Sequence, residues 1–224
     1  MPPALLPQPN RFSPSRFNGD PTLVAPGQYY GSATSIAYGY SRGHVYITGP
    51  SALDRPDFDC GFFSDEKGLD IKQAMFGYKC VREIHRRTKM YRGEVEISHP
   101  KFSPSSQATI LTLVEPLIGI DGKKEVRDIV YTPEDDEVLI QYLRERVVTT
   151  WHALGTCAMK PKEEGGVVDE RLNVHGTKAL KVVDLSIAPE NFGGNTQIPS
   201  YAIGEKAAEI LMEDLQIGGR ELTN

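Results

Sequence analysis

Proline decides what the first part of this chain can become. Positions 2, 3, 7, 9, 14, 21 and 26 are all proline, and each fixes φ at about −65° and removes a backbone donor. No helix interior and no central strand can run through residues 1–30, which read as an extended arm or as the cut edge of something larger. Regular structure must come from later segments. Residues 44–48, His-Val-Tyr-Ile-Thr, are β-branched and aromatic and are closed by Gly49 and Pro50, which predicts a strand. The Asp-, Pro- and Gly-rich stretch 53–68 reads as loop. Between 69 and 91, Ile71, Met75, Tyr78, Val81 and Ile84 recur at helical spacing. The basic residues Arg82, His85, Arg86, Arg87, Lys89 and Arg92 gather at the end of that helix, where cations suit the dipole.

A second β-rich run covers 109–120 and ends at Asp121-Gly122. Thr132, Pro133, Glu134 and Asp135 then form a helix start: a capping hydroxyl, a proline in the first turn, and acids at the positive end. That helix is expected to reach Arg146. Further on come a loop centred on Gly155, a Gly165-Gly166 turn, a buried strand at 180–184, and a last helix from about Pro199 to Leu215 closed by Gly218-Gly219. The sum is an α+β chain, with an antiparallel sheet from the middle of the sequence and helices flanking it.

Composition removes whole classes of function. The 224 residues can bury a real core. Twenty-five basic against 30 acidic residues leave a net charge of −5, which argues against a nucleic-acid surface. No apolar run approaches the length of a membrane span. Cys60, Cys80 and Cys157 are odd in number and lack C-x-x-C spacing, so reduced thiols are expected. A zinc site from His152, Cys157 and His175 fits no common ligand spacing. With no secretory leader, no Asn-x-Ser/Thr sequon and no terminal Ser-Lys-Leu, an intracellular location, cytoplasmic or peroxisomal, is expected.

Two segments could carry chemistry. In 151–156, Trp-His-Ala-Leu-Gly-Thr, His152 sits beside a bulky aromatic and before a glycine turn. Imidazole is the usual general base near neutral pH. Alone, a histidine in such a loop is more often structural. In the second segment a buried strand ends at Asp184 and Ser186, and the loop through Asn191, Gly193, Gly194, Asn195 and Thr196 enters a helix at Pro199. A helix start collects free amides and a positive dipole end, which suits an anion or an electron-rich ring edge. Taken alone, a capped helix after a strand is the plainer reading.

Together, in order, these segments say more. Trp151-His-x-x-Gly-Thr is followed by Gly-Val-Val-Asp, Asn173-Val-His-Gly, Leu-Lys-Val-Val-Asp-x-Ser-x-x-Pro189, Gly-Asn195-Thr196 and Ile203-Gly-Glu-Lys-Ala. This series resembles the C-terminal region of the glucose–methanol–choline (GMC) oxidoreductases, with the fungal alcohol oxidases as the nearest subgroup. Upstream, Ser41-Arg-Gly-His-Val-Tyr-Ile-Thr-Gly-Pro50, Asp57-Phe-Asp-Cys-Gly-Phe-Phe63 and Tyr91-Arg-Gly-Glu94 resemble elements of that family's substrate domain.

The resemblance implies FAD as cofactor, a small alcohol as substrate oxidised to an aldehyde by hydride transfer to flavin N5, and oxygen reduced to hydrogen peroxide. By motif position, His152 and Asn195 would be the catalytic pair. Trp151, Asp184, Leu185, Asn195 and Thr196 would touch the cofactor. Residues 1–30 would be an arm or truncation scar, 31–150 the substrate-binding domain, and 151–224 the catalytic and FAD-contacting segment, with strand and helix elements of an FAD domain. A homo-oligomer is expected by the same analogy. No Gly-x-Gly-x-x-Gly lies between a strand and a helix here. The family's N-terminal FAD-binding domain is therefore the expected partner, and the isolated chain is expected to be incomplete. The competing expectation is a non-catalytic relative, acting as a binding or assembly module, or a gene-model fragment. An exposed apolar surface is expected around Leu180, Val182, Ile187 and Ile203, where the absent domain would pack.

Overall fold

The structure is a computed structural model and describes residues 29–113, 117 and 126–217. The proline-rich arm through residue 28 and the closing Gly218-Gly219 pair lie outside those residues. The chain divides into two compact units. The described parts of Met1–Ser35 and Lys67–Val147 form the first, and those of Ile36–Glu66 and Val148–Asn224 the second.

The first unit holds helices α1 (Leu69–Arg86) and α2 (Pro133–Arg146). Helix α2 begins as its sequence demands. The Thr132 hydroxyl accepts the Asp135 amide at 3.2 Å, and the Asp135 carboxylate accepts the Thr132 amide at 2.9 Å. Pro133 takes the first turn and three acids face the dipole. Burial alone would raise the Asp135 carboxyl, but bonds from Thr132 and Ser106 and the charge of Lys79 hold it below the usual range. The core of this unit is Phe102, Ala108 and Leu139, with Met75, Tyr78, Tyr131, Tyr142 and Leu143 against it.

Helix α1 departs from its expected stripe. Ile71 is buried, whereas Ile84 is 62% exposed and Arg82 is only 3% exposed. The reason is a buried ion pair: Arg82 reaches the Glu94 carboxylate at 2.5 and 2.7 Å, Tyr131 Oη at 3.2 Å and the Thr109 carbonyl at 3.2 Å. Two more residues of the basic end are also ion-paired. Arg86 and Arg87 share Glu83, and Arg87 also takes Asp128. Beside the ion pair, Tyr78 Oη lies 2.8 Å from His99 Nδ1. Burial pushes the His99 imidazole down to about 4, against the pull of Glu94.

The sheet is smaller than expected. Strand β1 (His44–Tyr46) pairs antiparallel with β2 (Asp57–Asp59), with Val45 opposite Phe58. Thus the expected strand at 44–48 is present but short, and a strand appears inside the stretch read as loop. Gly61 closes the hairpin base at φ +61, where a Cβ would lie 2.0 Å from the Arg42 carbonyl. In the β-rich run 109–120, the described part forms a single bridge, Gly93 to Thr112. The expected strand at 180–184 is not formed. Lys181 makes an isolated bridge to Asn173, and the chain turns at Asp184 into the 3₁₀ turn Leu185–Ile187.

The second unit's core is Val168, Leu172, Ile187, Ala207 and Ile210, with Val182 and Ile203 packed on it. Helix α3 (Gln197–Leu215) supplies Ile203, Ala207 and Ile210. The expected exposed surface is therefore corrected: Ile187 is 5% exposed and Val182 and Ile203 join the core, so that of the four only Leu180 is exposed. The apolar exposure lies elsewhere, at Trp151, Ile198, Tyr201, Met212 and Leu215. Among the described residues no helix is long and apolar enough to cross a membrane.

Two stability outcomes follow from the first unit. Glu94→Ala strands a buried guanidinium and is expected to cost about 3–5 kcal/mol in urea unfolding. His99 has a folded-state pKa near 4 against an ordinary 6.5, so the unfolded chain binds more protons between those values. Stability should fall by about 2–3 kcal/mol as pH drops from roughly 6.5 to 4, then level off for this group. His99→Gln should flatten that part of a denaturation-versus-pH series.

Candidate active site

The site begins with a backbone ladder. The Gly155 amide donates to the Leu185 carbonyl at 3.4 Å, Cys157 to Ser186 at 2.9 Å and Met159 to Ile187 at 2.8 Å. This run ties the segment after His152 to the turn after Asp184. Asp184 shapes its own end of the ladder, since its carboxylate accepts the Ser186 amide at 2.7 Å and caps the 3₁₀ turn. Just before the ladder, Trp151 stands at φ +61 and is 84% exposed. Its amide is held by the Thr149 hydroxyl at 2.9 Å. A left-handed bulky residue costs free energy and persists only where its surroundings dictate it.

Asn195 arrives from the other direction. Its Oδ1 accepts the amide of Gln197, the first residue of α3, at 2.9 Å, while the N-cap residue Thr196 is buried beside it. With the oxygen occupied, the amide nitrogen turns outward and lies 3.4 Å from His152 Nε2. An amide nitrogen only donates, so this contact is a hydrogen bond in the tautomer that leaves Nε2 as the acceptor. At 3.4 Å the bond is longer than an ordinary N–H···N contact and easily replaced. A hydroxyl between the two could give its proton to Nε2 and accept from the amide.

The structure brings His152 and Asn195 together across 43 positions of sequence. Asp184 and Leu185 line a cleft of about 440 Å³ with Ala153, Leu154, Thr156, Val183, Ser186 and Ser200. Trp151, Asn195 and Thr196 do not line it. Ser186 is singled out in the sequence at the strand end, whereas Thr156 and Ser200 are given no role there. Thr156 and Ser186 lie inside the quoted motifs, whereas Ser200 gave no signal until α3 was seen to start at Gln197.

The cleft combines polar and apolar lining. It offers one carboxylate, three hydroxyls and an apolar floor beside a 19-residue helix whose first turn carries no acid.

The GMC oxidoreductase family model matches residues 39–204. The chain belongs to the GMC oxidoreductase family. Among the relatives of this GMC chain is the alcohol oxidase of Pichia angusta, 38% identical over 93% of this chain and 37% of its own length. Alcohol oxidase 1 of Komagataella phaffii is also 38% identical, over 92% of this chain and 37% of its own. The chain thus spans little more than a third of the alcohol oxidases it matches. A solved fungal aryl-alcohol oxidase superposes with a TM-score of 0.54 at 27% identity, covering 80% of this chain and 25% of that one. An FAD-dependent oxidoreductase from Chaetomium thermophilum shares the fold, with a TM-score of 0.57 at 23% identity, over 81% of this chain and 26% of its own.

Asn195 has two separable jobs, and stability reads one of them. Asn195→Ala leaves the first amide of α3 without its side-chain acceptor and is expected to cost about 1 kcal/mol in thermal unfolding. Asn195→Asp keeps an acceptor oxygen and should stay close to the parent protein.

Proposed function

We propose that this chain is the C-terminal portion of an FAD-dependent alcohol oxidase. It would act on a small primary alcohol, with oxygen as the second substrate. Residues 31–150 are read as the substrate-binding part and 151–224 as the catalytic and FAD-contacting part. The observation that carries the reading is the 3.4 Å approach of Asn195 Nδ2 to His152 Nε2, in a chain of this family.

His152 takes the hydroxyl proton on Nε2, because an alkoxide releases hydride far more readily than an alcohol. Asn195 donates to the alcohol oxygen and orients it without competing for the proton. Bound FAD supplies the hydride acceptor and the route for electrons to oxygen. Asp184 and Leu185, with Ser186 and Ser200 beside them in the cleft, would hold the polyol part of the cofactor. The Thr196 backbone and the positive end of α3 favour added negative charge near the ring. Trp151 walls the substrate space. The imidazolium left on His152 then stabilises negative charge on reduced oxygen.

The test is a chimera in which this chain replaces the matching segment of the Pichia angusta alcohol oxidase. Alcohol-dependent peroxide release is expected. His152→Ala should lower turnover by about 10²–10⁴-fold while flavin absorbance stays near one equivalent. Equal loss of turnover and flavin would make His152 structural. The 224-residue chain by itself should retain little flavin, and a stoichiometrically yellow chain would contradict its incompleteness.

A further inference from the structure

We propose that Tyr38 is a positioning residue for the Asn195 half of the site. Its phenol fills the place a side chain at 193 would take, and so sets the path of the 191–196 turn that carries Asn195 to His152. The turn contains two glycines with different surroundings. At Gly194 an added Cβ would meet nothing within 4 Å. At Gly193 it would lie 2.4 Å from Tyr38 Oη, 3.0 Å from Cζ and 3.3 Å from Cε2. Gly193 is not in the left-handed region, so a side chain there would be opposed by space rather than by backbone conformation, and only by the outer end of the Tyr38 ring. The phenol is the neighbour that claims this space.

The two ends of the turn are held unequally. Downstream, Thr196 is buried and α3 is anchored by Ala207 and Ile210 in the core. Upstream, Asn191, Gly193 and Gly194 are exposed, and Tyr38 bounds the backbone at Gly193. Among the described residues the Tyr38 hydroxyl makes no hydrogen bond, so it acts by shape. Tyr38 itself is 64% exposed, and its replacement leaves the core untouched. The proposal rests on the alcohol-oxidase reading only for its catalytic consequence, and its geometry is tested without turnover.

The experiment is nitrogen NMR on the full chain, observing the His152 ring nitrogens and the Asn195 side-chain amide. The parent protein should show a proton-bearing Nδ1 and an acceptor Nε2, well separated in shift. Tyr38→Ala should lose that separation and move the Asn195 amide signals, whereas Tyr38→Phe, which keeps the ring on Gly193, should retain both. Gly193→Ala should disturb the pair, and Tyr38→Ala added to it should restore the separation by making room for the methyl. In an Asn195→Ala background, Tyr38→Ala should change the ring no further. Three outcomes would overturn the proposal: parent-like signals in both Tyr38→Ala and Gly193→Ala, an undiminished Tyr38 effect without Asn195, or ring nitrogens already averaged in the parent protein. Failure of the chimera to oxidise alcohol would bear on the alcohol-oxidase reading and leave these signals as they are.

Discussion

Everything in the second unit depends on three backbone hydrogen bonds, from Gly155, Cys157 and Met159 to Leu185, Ser186 and Ile187. They are side-chain independent, so they bring two distant segments into register whatever the chemistry they carry. One segment has just passed His152, and the other has just passed Asp184. Once they are joined, Ile187 enters the core with Val168, Leu172 and the inner stripe of α3. The start of α3 then presents Asn195 to His152. The site is a by-product of this stitching, with the Asn195 bond to the Gln197 amide deciding which end of the side chain faces the imidazole.

The first unit rests on a different physics. Its centre is polar: a nearly inaccessible Arg82–Glu94 pair, with Tyr131 on the guanidinium and Tyr78 on His99 close by. A buried pair of this kind stabilises little relative to an apolar alternative, yet breaking it leaves a charge without compensation. Its value is in specifying one arrangement. Arg82 also lies over the Phe102 ring at 5.4 Å, so the ionic and apolar parts of the unit meet at one side chain.

The exposed apolar groups of the second unit have a natural context in the comparison with relatives. Ile198, Tyr201, Met212 and Leu215 leave one side of α3 uncovered, and Trp151 projects from its loop. The related alcohol oxidases are far longer than the stretch shared with this chain.

Local chemistry was legible in the sequence because it needs few residues. The Thr132–Asp135 box, the helix ending at Arg146, the glycine turns and the ordered motifs around His152 and Asn195 are encoded within a handful of positions, and the motif series pointed to the family without any coordinates. Long-range choices were not legible. The apolar run in Leu180–Asp184 suited a buried strand, but its pairing with the 172–174 backbone stops at one isolated bridge and the chain turns at Asp184. The spacing of Ile84 suited a core position, but Glu94 drew Arg82 inward and rotated the helix face. Sequence alone determined which residues were capable of the chemistry. Tertiary structure decided that the Asn195 oxygen is spent on Gln197 and its nitrogen faces His152, because that outcome depends on a helix start and a loop meeting across 43 residues of chain.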